Sequence, residues 1–137
     1  MIRILMCGPI AKSGGVSNHT QCLANELKKF NIYVITHNLV GTENELDHSN
    51  FRKIYQRTLG LINEAFRRRN DYDIIHVQVS GGFFSFITAV TGTIVSRTLC
   101  KPFVVTFHYR PSRELIEKYK IIFSFVLANV DAFIVVS

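Results

Sequence analysis

Apolar residues recur along this chain in two alternating periods. Short runs rich in Ile, Val and Phe lie at residues 2–7, 32–37, 73–79, 103–108 and 132–136, each bounded by Gly, Pro, Asn or Ser. Their composition predicts five strands, and their nearly unbroken apolar character predicts strands covered on both faces. Between them the spacing changes to that of helices. Residues 16–30 place Val16, Thr20, Leu23, Leu27 and Phe30 on one stripe. Residues 51–69 do the same with Phe51, Ile54, Tyr55, Thr58, Ile62, Ala65 and Phe66, after Ser49 or Asn50 as N-cap. Residues 83–99 are apolar almost all round until Arg97, with Gly92 and several threonines weakening the helix. Residues 113–129 carry Leu115, Ile116, Tyr119, Ile122, Phe123 and Val126 on one face, with Ser112 as cap.

Strands alternating with helices at this spacing imply right-handed crossovers and an α/β fold, a doubly wound parallel sheet with helices on both faces. The expected strand order is 3-2-1-4-5. In such sheets ligands bind outside the carboxyl ends of the strands. That rule selects residues 8–15, Asn38, residues 78–82, residues 108–110 and Ser137, a polar, glycine-rich rim on an apolar scaffold.

With 137 residues, 47% of them hydrophobic, the chain is long enough for one domain with a sizeable core. Met1-Ile2-Arg3 leads straight into the first strand, so no signal peptide is expected. Cys7, Cys22 and Cys100 are odd in number and widely spaced, which reads as buried thiols in a reducing cytoplasm, without a disulfide framework or zinc site. Residues 74–96 contain no charged side chain. His76, Gln78, Ser80 and the Gly81-Gly82 break divide them into a strand and a helix, each too short for a bilayer span.

The net charge of +6 is unevenly distributed: residues 50–70 hold six basic residues against a single Glu64, a balance of +5. This is either a solvated helix face or a surface for anionic lipid or an acidic substrate. No nucleic-acid-binding signature accompanies it, so no nucleic-acid partner is expected.

Gly14-Gly15 at the predicted start of the first helix lets backbone approach a ligand closely. The free N–H groups and helix dipole there suit a phosphate or carboxylate, although a tight turn without ligand reads equally well. Lys12 precedes the glycines, so this is not a P-loop, and Gly8…Gly14-Gly15 misses the G-x-G-x-x-G spacing. His108, at the end of FVVTFH, can donate to a hydroxyl or phosphate or exchange a proton near neutral pH; the alternative is a rim histidine with only a structural bond. His19, on the first turn of the first helix, can reach the same crevice or act as a cap. His76, inside a strand, reads as a satisfied core residue. No metal-ligand spacing and no carboxylate pair for hydrolysis is present.

Taken together, ILMCGPIAKSGGVSNHTQCLANEL, DIIHVQVSGGF, PFVVTFHY and VDAFIVVS resemble the N-terminal half of the retaining nucleotide-sugar glycosyltransferases of the GT-B fold. The resemblance implies a three-layer, Rossmann-like domain over residues 1–137, one half of a GT-B architecture. Its donor-binding C-terminal partner, with an Arg/Lys pair and an E-x7-E motif, is absent from this sequence and would act in cis or in trans. The implied reaction moves a hexose from a nucleoside diphosphate sugar to a hydroxyl acceptor, sugar or lipid-linked, with retention; no cofactor beyond the donor substrate is implied. Gly14, Gly15 and Val16 would lie beside the donor diphosphate and sugar, and His108 would touch the transferred sugar as the catalytic candidate. Asn18, His19, Gln78, Ser80 and Tyr109 would line the acceptor side. Arg67, Arg68 and Arg69 resemble the membrane-facing surface of members with lipid acceptors, which implies a cytoplasmic protein in weak peripheral contact with anionic membrane. By itself, half a cleft is expected to be inactive. The competing readings are a non-catalytic Rossmann-like scaffold that docks a partner subunit, and a small nucleotide-binding regulator.

Overall fold

The computed structural model describes residues 1–10, 14–40, 50–80, 82–108 and 113–136. One sheet contains β1 (Arg3–Gly8), β2 (Tyr33–Asn38), β3 (Ile74–Val79), β4 (Phe103–Phe107) and β5 (Ala132–Val135), all parallel. The helices are α1 (Gly15–Lys29), α2 (Asn50–Tyr55), α3 (Leu61–Arg67), α4 (Phe83–Thr98), α5 (Arg113–Lys118) and α6 (Lys120–Asn129), with a π-helical turn (Gln56–Gly60) joining α2 to α3. All five predicted strands are present. The predicted last helix is two helices, broken at Tyr119.

The strand order is β2-β1-β3-β4-β5, which corrects the expected 3-2-1-4-5. Burial explains the difference. β3 is buried from Ile75 to Val79 and cannot serve as an edge, whereas β2 exposes Tyr33 and Thr36 and can. β1 therefore pairs on both sides, Ile4 with Val34 and with Ile74. Acidic residues tie the strand starts together. Asp73 accepts from the Arg3 backbone N–H at 3.0 Å and pairs with its guanidinium at 2.7 Å, and Asp131 accepts from the Phe103 N–H at 2.8 Å.

The alternation of β1 sorts the core into two layers. Ile4 and Met6 face α1 with Ala24 and Val34. Leu5 and Cys7 face the larger layer with Leu61, Ala65, Ala89, Val95 and Val126. Gly92 of α4 permits close approach to the sheet, since a Cβ there would fall 2.7 Å from the Phe103 ring. The helix-weakening residue noted in the sequence is thus a packing requirement.

Three helical stripes differ from expectation; in α6 Ile122 is exposed. Phe30, at the end of α1, is exposed, and Ser17, Thr20 and Ala24 are its buried residues. In α2–α3 the buried pair is Leu61 and Ala65, while Phe51, Tyr55 and Phe66 are exposed. Arg57 precedes this pair at i, i+4 spacing and is half-buried, so the inward face includes it. Of the cysteines only Cys7 is buried; Cys22 lies on the outer face of α1, and Cys100 follows α4 with φ of 52°. The expectation of three buried thiols is corrected accordingly. No helix among the described residues is long and apolar enough to cross a membrane.

Candidate functional site

The chain reverses its direction of travel across the sheet between β1 and β3, and at this switch point two crossovers diverge and leave a crevice at the carboxyl edge. Its floor is Gly8 on β1 beside Gln78 on β3. The loop leaving β1 is anchored: Asn38 Oδ1 accepts from the Ile10 N–H at 3.1 Å and the Val40 N–H at 3.2 Å. The Ile10 carbonyl in turn accepts from Ser17 Oγ at 3.0 Å and from Gln21 Nε2. α1 then opens at Gly15 behind Gly14, whose φ of +147° suits glycine, and no side chain among the described residues caps the helix. Its first-turn N–H groups therefore remain available to a ligand.

On the α1 face of the sheet a chain of polar side chains runs from the core to this crevice. Thr106 Oγ1 lies 2.9 Å from His76 Nε2, Gln78 Nε2 lies 3.0 Å from the same nitrogen, and Gln78 Oε1 lies 2.5 Å from His108 Nε2. Gln78 is 1% exposed and His76 6%. With the amide in this orientation the donors and acceptors are fixed: Gln78 donates to His76 and accepts from His108. His108 thus carries its proton on Nε2 and keeps Nδ1 as an acceptor. His19 meets the His108 ring edge-on, with centroids 4.5 Å apart, and its buried Nδ1 has no hydrogen-bond partner.

Burial dominates the electrostatics of this chain. It lowers His76 to about 4, assisted by the nearby His108 and His19, and it lowers His108 below the usual histidine range, assisted by His19. Both rings are consequently neutral at neutral pH, which leaves His108 able to accept a proton.

A cavity of 210 Å³ adjoins Gln78, lined among others by Pro9, Val16, Arg57, Val79 and Ser80. Arg57 reaches it from the π-helical turn, with its guanidinium carbon 5.7 Å from the centre of the Phe84 ring. Ser80 Oγ lies 3.1 Å from Ser85 Oγ at the start of α4.

The fold therefore brings Gly14, Gly15, Val16, His19, Gln78, Ser80 and His108 to one edge. Asn18 is exposed on the first turn of α1. Tyr109, Ser137 and the caps Ser49 and Ser112 lie outside the described residues. Arg67, Arg68 and Arg69 are not brought to the site: they end α3 just before β3 begins, at the opposite edge, where Glu64 pairs with both Arg67 and Arg68. His76 is a satisfied core residue, as its sequence context suggests, and it also supports the site through Gln78. Sequence reasoning missed Arg57, which it grouped with the basic surface; the i, i+4 spacing to Leu61 and Ala65 is the signal that places it inward. Among the described residues no cluster of three or more His, Cys, Asp and Glu forms a metal site.

The sequence profile of Glycosyltransferase Family 4 matches residues 13–137. The chain belongs to glycosyltransferase family 4. This family-4 domain also resembles, in fold alone, the crystal structure of S. aureus homoserine dehydrogenase at pH 7.0, at 14% identity and a TM-score of 0.50. The similarity covers 98% of the present chain and 32% of the dehydrogenase, so the chain spans about a third of that structure. No curated protein matches the family-4 chain. The five-stranded parallel sheet with helices on both faces is consistent with one half of a GT-B fold.

Proposed function

We propose that this family-4 domain forms the acceptor side of a glycosyltransferase that moves a hexose from a nucleoside diphosphate sugar to a hydroxyl acceptor with retention. The observation that carries the reading is the convergence of the uncapped, glycine-opened start of α1 with a His108 ring oriented by Gln78. The helix start offers N–H donors and a positive dipole end to the diphosphate. His108 meets the transferred sugar and, through Nδ1, can accept a proton from a hydroxyl. Gln78 and Ser80 face the acceptor, with Asn18 and His19 beside them. A second domain, in the same polypeptide or another, supplies the remaining charge stabilisation of the leaving diphosphate, so residues 1–137 alone transfer no sugar.

The test is incubation of the intact protein with a panel of nucleotide sugars and hydroxyl acceptors, reading the anomeric configuration of any product by NMR. Product with the donor's configuration supports the reading. Inverted product, or hydrolysis of the donor by water with no acceptor-dependent transfer, contradicts it.

A further inference from the structure

Arg57, half-buried at this edge, has no part in the reading above. It sits on the inward row of α2–α3, one turn before the fully buried Leu61 and two before Ala65, and it projects into the cavity beside Gln78. A guanidinium in such a position ordinarily meets a carboxylate, because desolvating a charge is expensive unless it is paired. Among the described residues no acid pairs with it. Glu26, Glu64 and Asp73 are engaged by Lys29, by Arg67 with Arg68, and by Arg3. Its partner is the Phe84 ring, a contact that holds the cation in place without neutralising it. Burial accordingly lowers its pKa.

Two further features border the same cavity. Val16, in the uncapped first turn of α1, lines one side, and Ser80, bonded to Ser85 at the start of α4, lines another. The start of α1 thus turns its positive end toward the space that Arg57 enters, and Ser80 adds a hydroxyl. The arginine itself leaves from a π-helical turn, an irregularity often found at functional sites.

We propose that this cavity binds a phosphate ester carried by the acceptor, with Arg57 as the recognition residue. The inference rests on the glycosyltransferase reading only for the word acceptor. The planar fork of Arg57 matches two phosphate oxygens, and the Ser80 hydroxyl supplies a neutral donor at the same wall. At 210 Å³ the cavity admits a phosphate with its first linking atoms and leaves the remainder of the molecule outside. Anchoring there orients the acceptor beside His108, because Gln78 belongs both to the cavity and to the polar chain.

The experiment titrates the intact protein, uniformly labelled with 15N and without any sugar donor, with inorganic phosphate, following the Arg57 Nε–H resonance and the backbone amides of Val16 and Ser80, which every variant retains. A saturable shift of these resonances, with the affinity read from the two amides weakened about tenfold or more in Arg57→Gln, is the expected result. Parallel titrations with glycerol 3-phosphate and with a hexose phosphate distinguish a lipid-headgroup source from a sugar-phosphate source by which binds more tightly. A non-saturating drift with added salt, or equal affinity in Arg57→Gln, overturns the proposal. If the glutamine variant does not fold, Arg57→Lys keeps the charge and loses the fork: reduced affinity supports the site, and unchanged affinity overturns it. Arg57-dependent binding in a protein that transfers no sugar keeps the site and removes the glycosyltransfer reading. Sugar transfer without Arg57-dependent binding does the reverse.

Discussion

A Cβ added to Gly8 would lie 2.9 Å from Cβ of Gln78 and 3.3 Å from Oγ1 of Thr20. The last residue of β1 is therefore bare because the neighbouring strand must turn a large amide toward α1 at that level. Gln78 occupies that space, and from it reaches both His76 and His108. Gly8→Ala should push the glutamine out of register with the two histidines. The expected loss of stability is roughly 1–3 kcal/mol, the usual range for overpacking a tight core. Urea unfolding of the variant measures it, and a change below that range would show that the two strands can part without consequence.

Because Gln78 accepts from Nε2 of His108, replacing its amide by a carboxylate should favour the imidazolium. Gln78→Glu is expected to raise the His108 pKa, by roughly 1–3 units if the new acid is ionised. A 15N-histidine NMR titration reads both the pKa and the tautomer. In the unaltered protein His108 should show protonated Nε2 and bare Nδ1 at neutral pH. The opposite tautomer would mean that Gln78 does not hold the ring as described.

His76 makes stability depend on pH in a definite direction. Its pKa is lowered on folding from the usual histidine range to about 4, so the unfolded chain binds the proton more readily. Stability is therefore complete above about pH 6.5 and falls as pH drops toward 4, by an amount of roughly 2–4 kcal/mol. Asp73, held at about 2 by its bond to Arg3, adds a further loss at still lower pH. Thermal unfolding at a series of pH values tests this, with His76→Asn expected to flatten the upper part of the loss.

The basic segment gives a more modest expectation than its +5 balance implies. Glu64, already subtracted in that balance, engages Arg67 and Arg68, so these two side chains are held to the helix and reach an anionic surface less freely. If this face meets a membrane, attachment is reversible, since each basic residue contributes about 1 kcal/mol. Sedimentation with anionic vesicles should show weak binding that fades with salt and with Arg67, Arg68 and Arg69 changed together to Gln. Equal binding to neutral vesicles would return the segment to an ordinary solvated face.

The strands were legible from composition because doubly covered strands need continuous apolar runs, and the rim followed from their carboxyl ends. Strand order was not legible, since it depends on which strand tolerates an edge: Tyr33 and Thr36 mark β2 for that place only once the burial of Ile75 to Val79 is known. Among the site residues, Gly14, Gly15 and His108 announce themselves by type and position. Gln78 is informative only through its neighbours across the sheet, and a single sequence does not display those. Arg57 was hidden by its company, a cation in a basic stretch, while its real neighbours are Leu61 and Ala65 on the inward row.

The central claim is that His108, held by Gln78, works on a sugar at the mouth of the α1 helix. Its most direct test is turnover of the intact protein with its responsive nucleotide sugar, comparing the unaltered chain with His108→Ala. The account predicts turnover reduced by about a hundredfold or more with unfolding behaviour retained. Undiminished transfer by a folded His108→Ala protein would contradict it.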